Sequence, residues 1–164
     1  MIRLTAELTP AGTSYLATGQ GQPVVLIHGV GLNKEMWGGQ IVGLSTQYRV
    51  IAYDMLGHGA SPRPASGTAL LGYADQLLEL LDHLNLPQAA VIGFSMGGLV
   101  ARAFALHHPQ LLDSLALHEI SSLAEAKDIG KFNLYLTSSG KDAVDYLITS
   151  GGTALIDGID KLLI

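Results

Sequence analysis

The chain has 164 residues, no cysteine and a formal net charge of −5. With 48 % apolar and 14 % charged residues, it is read as one globular domain over residues 1–164, long enough to bury a real core. This balance excludes a basic surface for nucleic acid or anionic membrane. The missing cysteine excludes a disulfide framework or a thiolate metal site.

No apolar run approaches a membrane span. Residues 1–10 are polar and include Glu7, unlike a signal peptide, so a cytoplasmic location is expected. Residues 2–8 and 13–18 alternate apolar and polar positions around Pro10-Ala11-Gly12, as an antiparallel hairpin does. After a Gly-rich turn, residues 23–27 (P-V-V-L-I) read as a strand buried on both faces. A modest helix is predicted over 36–47 and a second buried strand over 49–53 (R-V-I-A-Y). Residues 70–84 form an amphipathic helix on the spacing of Leu70, Ala74, Leu77, Leu78, Leu81 and Leu84, with Pro87 as its stop. A strand over 89–92, a helix over 96–107, Pro109 as a stop and a strand over 112–117 follow. The alternation predicts an α/β fold, a mostly parallel sheet with helices on both faces. In the tail, 132–137 (F-N-L-Y-L-T) resembles a strand and 138–141 a turn. Residues 142–148 read as a helix, 150–153 as a turn, and 154–164 as a short apolar strand or helix.

The chemistry gathers at residues 91–99, V-I-G-F-S-M-G-G-L. A strand enters Gly93-Phe94-Ser95-Met96-Gly97 and a helix leaves it, the pattern of a nucleophile elbow. Such a corner strains the serine backbone. It also leaves no room for side chains at the flanking glycines. Ser95 then stands at the carboxyl edge of the sheet, above the free N–H groups of a helix start.

Four blocks carry a family resemblance: G-x-G-x-P-V-V-L-I-H-G-V-G (19–31), Y-D-M-L-G-H-G-A-S (53–61), G-F-S-M-G-G (93–98) and A-x-x-H-P-x-L-x-x-S-L-A-L (105–117). In order and spacing residues 1–118 resemble the α/β-hydrolase family. They look most like the branch of enol-lactonases, small carboxylesterases, cofactor-free haloperoxidases and carbon–carbon bond hydrolases. The resemblance implies Ser95 as nucleophile, with the backbone N–H groups of Val30 and Met96 as oxyanion donors. It implies that His28, with Gly29, braces the oxyanion loop as a structural histidine. Asp54 and His58 would shape a turn and the pocket wall. Met36 and Trp37 would line the pocket or pack in the core beneath the loop. A serine at the elbow argues against haloalkane dehalogenase or epoxide hydrolase chemistry, which use a carboxylate there. No metal or organic cofactor is implied.

Residues 119–164 depart from the family pattern. A serine needs a base, and a base needs an orienting acid. The family places its histidine after the last strand, yet no histidine follows His118. Neither the cap segment nor the closing strand with its Gly-His is recognisable. His118 sits at the correct sheet edge and is a candidate base. His107 and His108 lie at the far end of the elbow helix, and His83 lies beside Asp82 in a surface helix. Two carboxylates are candidate acids, each with a structural reading that is favoured: Asp142 as a helix cap or first-turn acid, and Glu119 as a solvated loop charge. The expected function is a serine hydrolase acting on a small ester, lactone or similar acyl substrate through a Ser95 acyl-enzyme. The alternative is a truncated, chimeric or designed domain of this fold that binds a ligand without turnover. A small-molecule substrate is the expected partner, with neither nucleic acid nor membrane. If the tail fails to complete the sheet, 112–117 becomes an open edge that invites self-association.

Overall fold

The computed structural model describes residues 4–119 and 133–137. Seven strands form one sheet in the order β1-β2-β4-β3-β5-β6-β7. They are β1 (Glu7–Leu8), β2 (Ser14–Thr18), β3 (Pro23–Ile27), β4 (Arg49–Tyr53), β5 (Ala89–Phe94), β6 (Leu112–Glu119) and β7 (Asn133–Thr137). The centre, β4-β3-β5-β6, is parallel. The flanks are antiparallel: β1 on β2, β2 on β4 and β7 on β6. The α/β class read from the sequence therefore holds, with parallel pairing at the centre of a mixed sheet. The strand expected near 132–137 joins the sheet as β7 and covers 112–117, so β6 is not an edge. The elements expected over 138–164, including Asp142, lie outside the described residues.

Strand alternation sorts the core into two layers. Val25 and Ile27 of β3, Ile51 and Tyr53 of β4 and Val91 of β5 join one large cluster. There they meet Leu77, Leu80 and Leu81 of α2 (Leu70–His83) and Val100, Ala101 and Phe104 of α3 (Met96–His107). Burying each such leucine or isoleucine contributes roughly 1.5–3 kcal/mol. The opposite residues, Val24, Leu26, Val50 and Ala52, pack with Trp37 and Ile41 in a smaller cluster. Among the described residues only the short α1 (Gly38–Leu44) and the turn before it, which carries Trp37, cover that face.

Two helices differ at their ends from the sequence reading. The helix expected from residue 36 starts as a 3-10 turn at Lys34–Trp37, because the Asn33 side chain accepts the Glu35 N–H at 3.2 Å. It closes at Leu44, short of the expected residue 47. The long helix stops at His83, before Pro87 can act. Asn85 takes the left-handed backbone at φ 53°, and Leu86 N–H closes back onto Leu81 O at 2.9 Å.

Candidate active site

Ser95 is the cap residue of α3, at φ 51° and ψ −119°. A left-handed φ is costly for a residue with a side chain, of order 1–3 kcal/mol, and persists only where the surroundings enforce it. Here two backbone contacts enforce it. A Cβ on Gly93 would lie 2.7 Å from Gly98 Cα, and one on Gly97 would lie 2.5 Å from His28 O. The glycines let β5, the start of α3 and the end of β3 meet backbone to backbone. Met96 opens α3, in the turn where N–H groups lack helical acceptors and favour negative charge.

The loop after β3 reaches the same point. A Cβ on Gly29 would stand 3.3 Å from Ser95 Cβ and 3.0 Å from the Phe94 ring. Val30, the next residue, is exposed. His28 is wholly buried, and both its ring nitrogens are engaged. Nε2 accepts the Met55 N–H at 2.9 Å. The proton is therefore on Nδ1, which donates to Gly29 O at 2.7 Å. Burial pushes the His28 pKa below its ordinary value, which keeps this neutral tautomer.

The Y-D-M-L-G-H-G-A-S block wraps around one carboxylate. Asp54 is wholly buried. Its Oδ1 accepts the Lys34 N–H at 2.8 Å, and its Oδ2 accepts Lys34 Nζ at 2.7 Å and the Ala60 N–H at 2.9 Å. Burial alone would raise the Asp54 pKa. The Lys34 ammonium and the two N–H groups outweigh it and hold the carboxyl below its ordinary value. Gly59, at φ +50°, passes so close that any side chain would strike this carboxylate. Ser61 Oγ donates to Asp54 O at 2.6 Å and accepts Ser14 N–H at 2.9 Å. Gln76 on α2 donates to Asp54 O at 3.0 Å and accepts Leu56 N–H at 2.9 Å.

Neither Lys34 nor Gln76 was marked by the sequence reading. Gln76 left a signal, a polar residue one position before Leu77 on the buried side of α2. Lys34 left none, since its burial depends on a carboxylate twenty residues away. Trp37 is buried in the smaller core cluster, as core packing requires. Met36 is exposed at the rim of that turn.

The other imidazoles are spread widely. His58 stacks edge-on against His28 at 5.0 Å and turns Nδ1 toward Leu56 O at 3.0 Å. His83 meets the Tyr15 ring at 5.9 Å rather than forming a pair with Asp82. His107 and His108 close α3 at the end remote from Ser95. The register pairs His118 with Phe94 and Glu119 with Asn133, at the carboxyl end of β6. None of the imidazoles whose side chains are described, those of His28, His58, His83, His107 and His108, hydrogen-bonds to Ser95 Oγ.

A cavity of about 620 Å³ lies elsewhere, beneath α1, lined by Leu26, Trp37, Leu44, Tyr48, Ile92 and Ala116. Neither Ser95 nor the 29–30 loop borders it. It lies on the face that α1 covers, whereas the polar bonds converge on Asp54, away from it. No group of three metal-ligating side chains occurs among the described residues, and no helix there is long and apolar enough to cross a membrane.

Comparison with known proteins supplies the context. A relative in Acinetobacter baylyi, (E)-2-((N-methylformamido)methylene)succinate hydrolase, is 38 % identical over 118 residues, 71 % of this chain and 45 % of its own length. A second from that organism, 3-oxoadipate enol-lactonase 2, is 39 % identical over 109 residues, 65 % of this chain and 40 % of its own. Among solved structures, a thermophilic esterase from Thermogutta terrifontis superposes with TM-score 0.62 at 33 % identity, covering 77 % of this chain and 49 % of that one. The chain thus spans about two fifths of the length of the curated relatives it matches. The model of the alpha/beta hydrolase fold matches residues 22–141. With the elbow, the order of the blocks and the parallel centre of the sheet all in agreement, the chain belongs to the alpha/beta hydrolase fold family.

Proposed function

We propose that this chain carries the nucleophile and the oxyanion donors of a serine hydrolase for small esters, lactones or similar acyl substrates. Ser95 Oγ attacks the carbonyl carbon and gives up its proton to a base. The N–H groups of Val30 and Met96 hold the developing oxyanion. The carbonyl–leaving group bond breaks, the leaving group takes the proton, and water then releases the acid from the acyl-enzyme. The observation that carries this reading is the strained Ser95 backbone, with Gly29 against its Cβ. Relatives named as a hydrolase, an enol-lactonase and an esterase support the substrate class. His28 is unsuited as the base, because neutrality and both of its bonds are needed where it stands. His118, paired in register with Phe94, is the candidate. Glu119 and Asp142 remain the candidate acids of the same reading.

The test pairs fluorophosphonate labelling with p-nitrophenyl acetate hydrolysis in the wild type, Ser95→Ala and His118→Ala. Labelling and turnover that both vanish in Ser95→Ala support the enzyme, and loss of turnover in His118→Ala identifies the base. Absence of labelling in the wild type overturns the proposal. A second reading, a ligand-binding domain without turnover, is favoured by His28, beside the loop against Ser95, having both ring nitrogens engaged elsewhere. Labelling without turnover would select it.

A further inference from the structure

The loop after β3 touches Ser95 through Gly29. It then runs exposed over Val30, Gly31, Leu32 and Asn33 before turning inward at Lys34. Within that run the backbone bonds are local. Leu32 N–H donates to Gly29 O at 3.2 Å, and Met36 N–H to Asn33 O at 3.2 Å. Among the described residues nothing lies within 4 Å of the place a Gly31 Cβ would occupy. The anchors stand at the two ends of the run, and both hold it to one other loop. At the near end, His28 accepts the Met55 N–H. At the far end, Asp54 accepts both the backbone N–H and the ammonium of Lys34. Asp54 and Met55 are consecutive, and Asp54 is itself fixed through Ala60, Ser61 and Gln76.

A buried lysine is an expensive way to end a turn. Desolvating two charges offsets much of their attraction, so such a pair is weak support for stability as such. Its best-attested use is to fix one arrangement among several. Here the arrangement fixed is that of a loop whose N–H must stay aimed at one point. A donor that must reorient during the reaction loses most of its value.

We propose that Lys34 is a positioning residue for acyl transfer at Ser95: its buried ion pair with Asp54 holds the exposed 30–33 run so that the Val30 N–H faces the acyl carbonyl oxygen. This rests on the serine-hydrolase reading, and the experiment separates the two. Fluorophosphonate labelling is followed in time for the wild type, Lys34→Met, Lys34→Arg and Arg63→Met. Arg63→Met removes an equal charge from an exposed site. The first-order labelling constant, the inhibitor concentration at half-saturation and the final labelled fraction are read separately.

In Lys34→Met the constant is expected to fall about tenfold or more, given that losing a whole donor costs about 10²–10³. Half-saturation and labelled fraction should hold, with part of the rate regained in Lys34→Arg and none lost in Arg63→Met. Amide hydrogen exchange of residues 30–33 should quicken in Lys34→Met alone. A reduced labelled fraction with an unchanged constant would mean that Lys34 serves folding only, and overturns the proposal. So would an unchanged constant in a folded Lys34→Met. If Lys34→Met does not fold, Lys34→Gln, which keeps a donor but no charge, is read by the same criteria. A wild type that takes no label fails the hydrolase reading. A labelled wild type with an indifferent Lys34 fails only this one.

Discussion

The two segments that meet at Ser95 are held by opposite means. The elbow is fixed by absence: Gly93 and Gly97 carry no side chain, so backbones from β3, β5 and α3 close on one another. The 28–34 loop is fixed by charge and polar bonds, through His28 and Lys34 to the loop after β4. Shape holds Ser95, and electrostatics hold the loop that lies against it. The elbow should therefore resent added volume and ignore pH. The loop should tolerate volume at its exposed crest and resent a change of charge at its base.

The largest expected effect is at the charged end. Lys34→Met leaves Asp54 buried without its cation and should cost about 3–5 kcal/mol in urea unfolding. Lys34→Met combined with Asp54→Leu should recover part of that loss, since the uncompensated charge is gone. Equal costs for the single and double variants would break the distinction between the segments. Next comes Gly97→Ala. Its methyl meets the carbonyl oxygens of Ile27 and His28, which are backbone and cannot swing aside. A cost of about 1–3 kcal/mol or somewhat more is expected, equal at pH 5 and pH 8.

The pH response separates the segments again. Asp54 has a depressed folded pKa. Its contribution is therefore complete above the unfolded value of about 3.9 and is lost as pH falls through the folded one. Lys34 has a raised folded pKa, because Asp54 and then Glu35 outweigh the effect of burial. Its share is present below the unfolded value of about 10.4 and is lost as pH rises beyond the folded one. Between those limits the pair's contribution to stability should be flat. The acid-side loss should shrink in Lys34→Met and persist in Gly97→Ala. The smallest effect is Ser61→Ala, which removes a hydroxyl that bonds Asp54 O and Ser14 N–H. About 1 kcal/mol in thermal unfolding is expected, with little change in labelling.

What the sequence could reveal follows the same divide. The strands over 23–27 and 49–53, the elbow and the helix at 96–107 are written in contiguous residues. Each is specified by local apolar runs, glycine spacing and periodicity. β7 was legible as a strand through F-N-L-Y-L-T, but its antiparallel direction was not, since alternation carries no sense of direction. The polar scaffold was the least legible part. Asp54 and His58 were assigned to turn shaping on the strength of their block. The lysine that neutralises Asp54 lies in another loop, among exposed residues, with no period to mark it. Asn85 likewise ends its helix by a backbone conformation that Asn tolerates better than most residues, while Pro87 drew attention as the more visible stop.

The order of strands in the sheet has a consequence in time. β3 lies at the middle of the sheet, with β4 on one side and β5 on the other. Val24 finds Val50 early, but its other neighbour is Ala90, beyond all of α2. As the chain leaves the ribosome, the most apolar strand waits with one flank of its backbone unpaired until the segment bearing Ser95 is made. Pairings between distant segments form slowly and expose apolar edges meanwhile. The strand that leads into Ser95 is thus also the latch of the sheet. A nascent chain halted before β5 should be the form most in need of a chaperone.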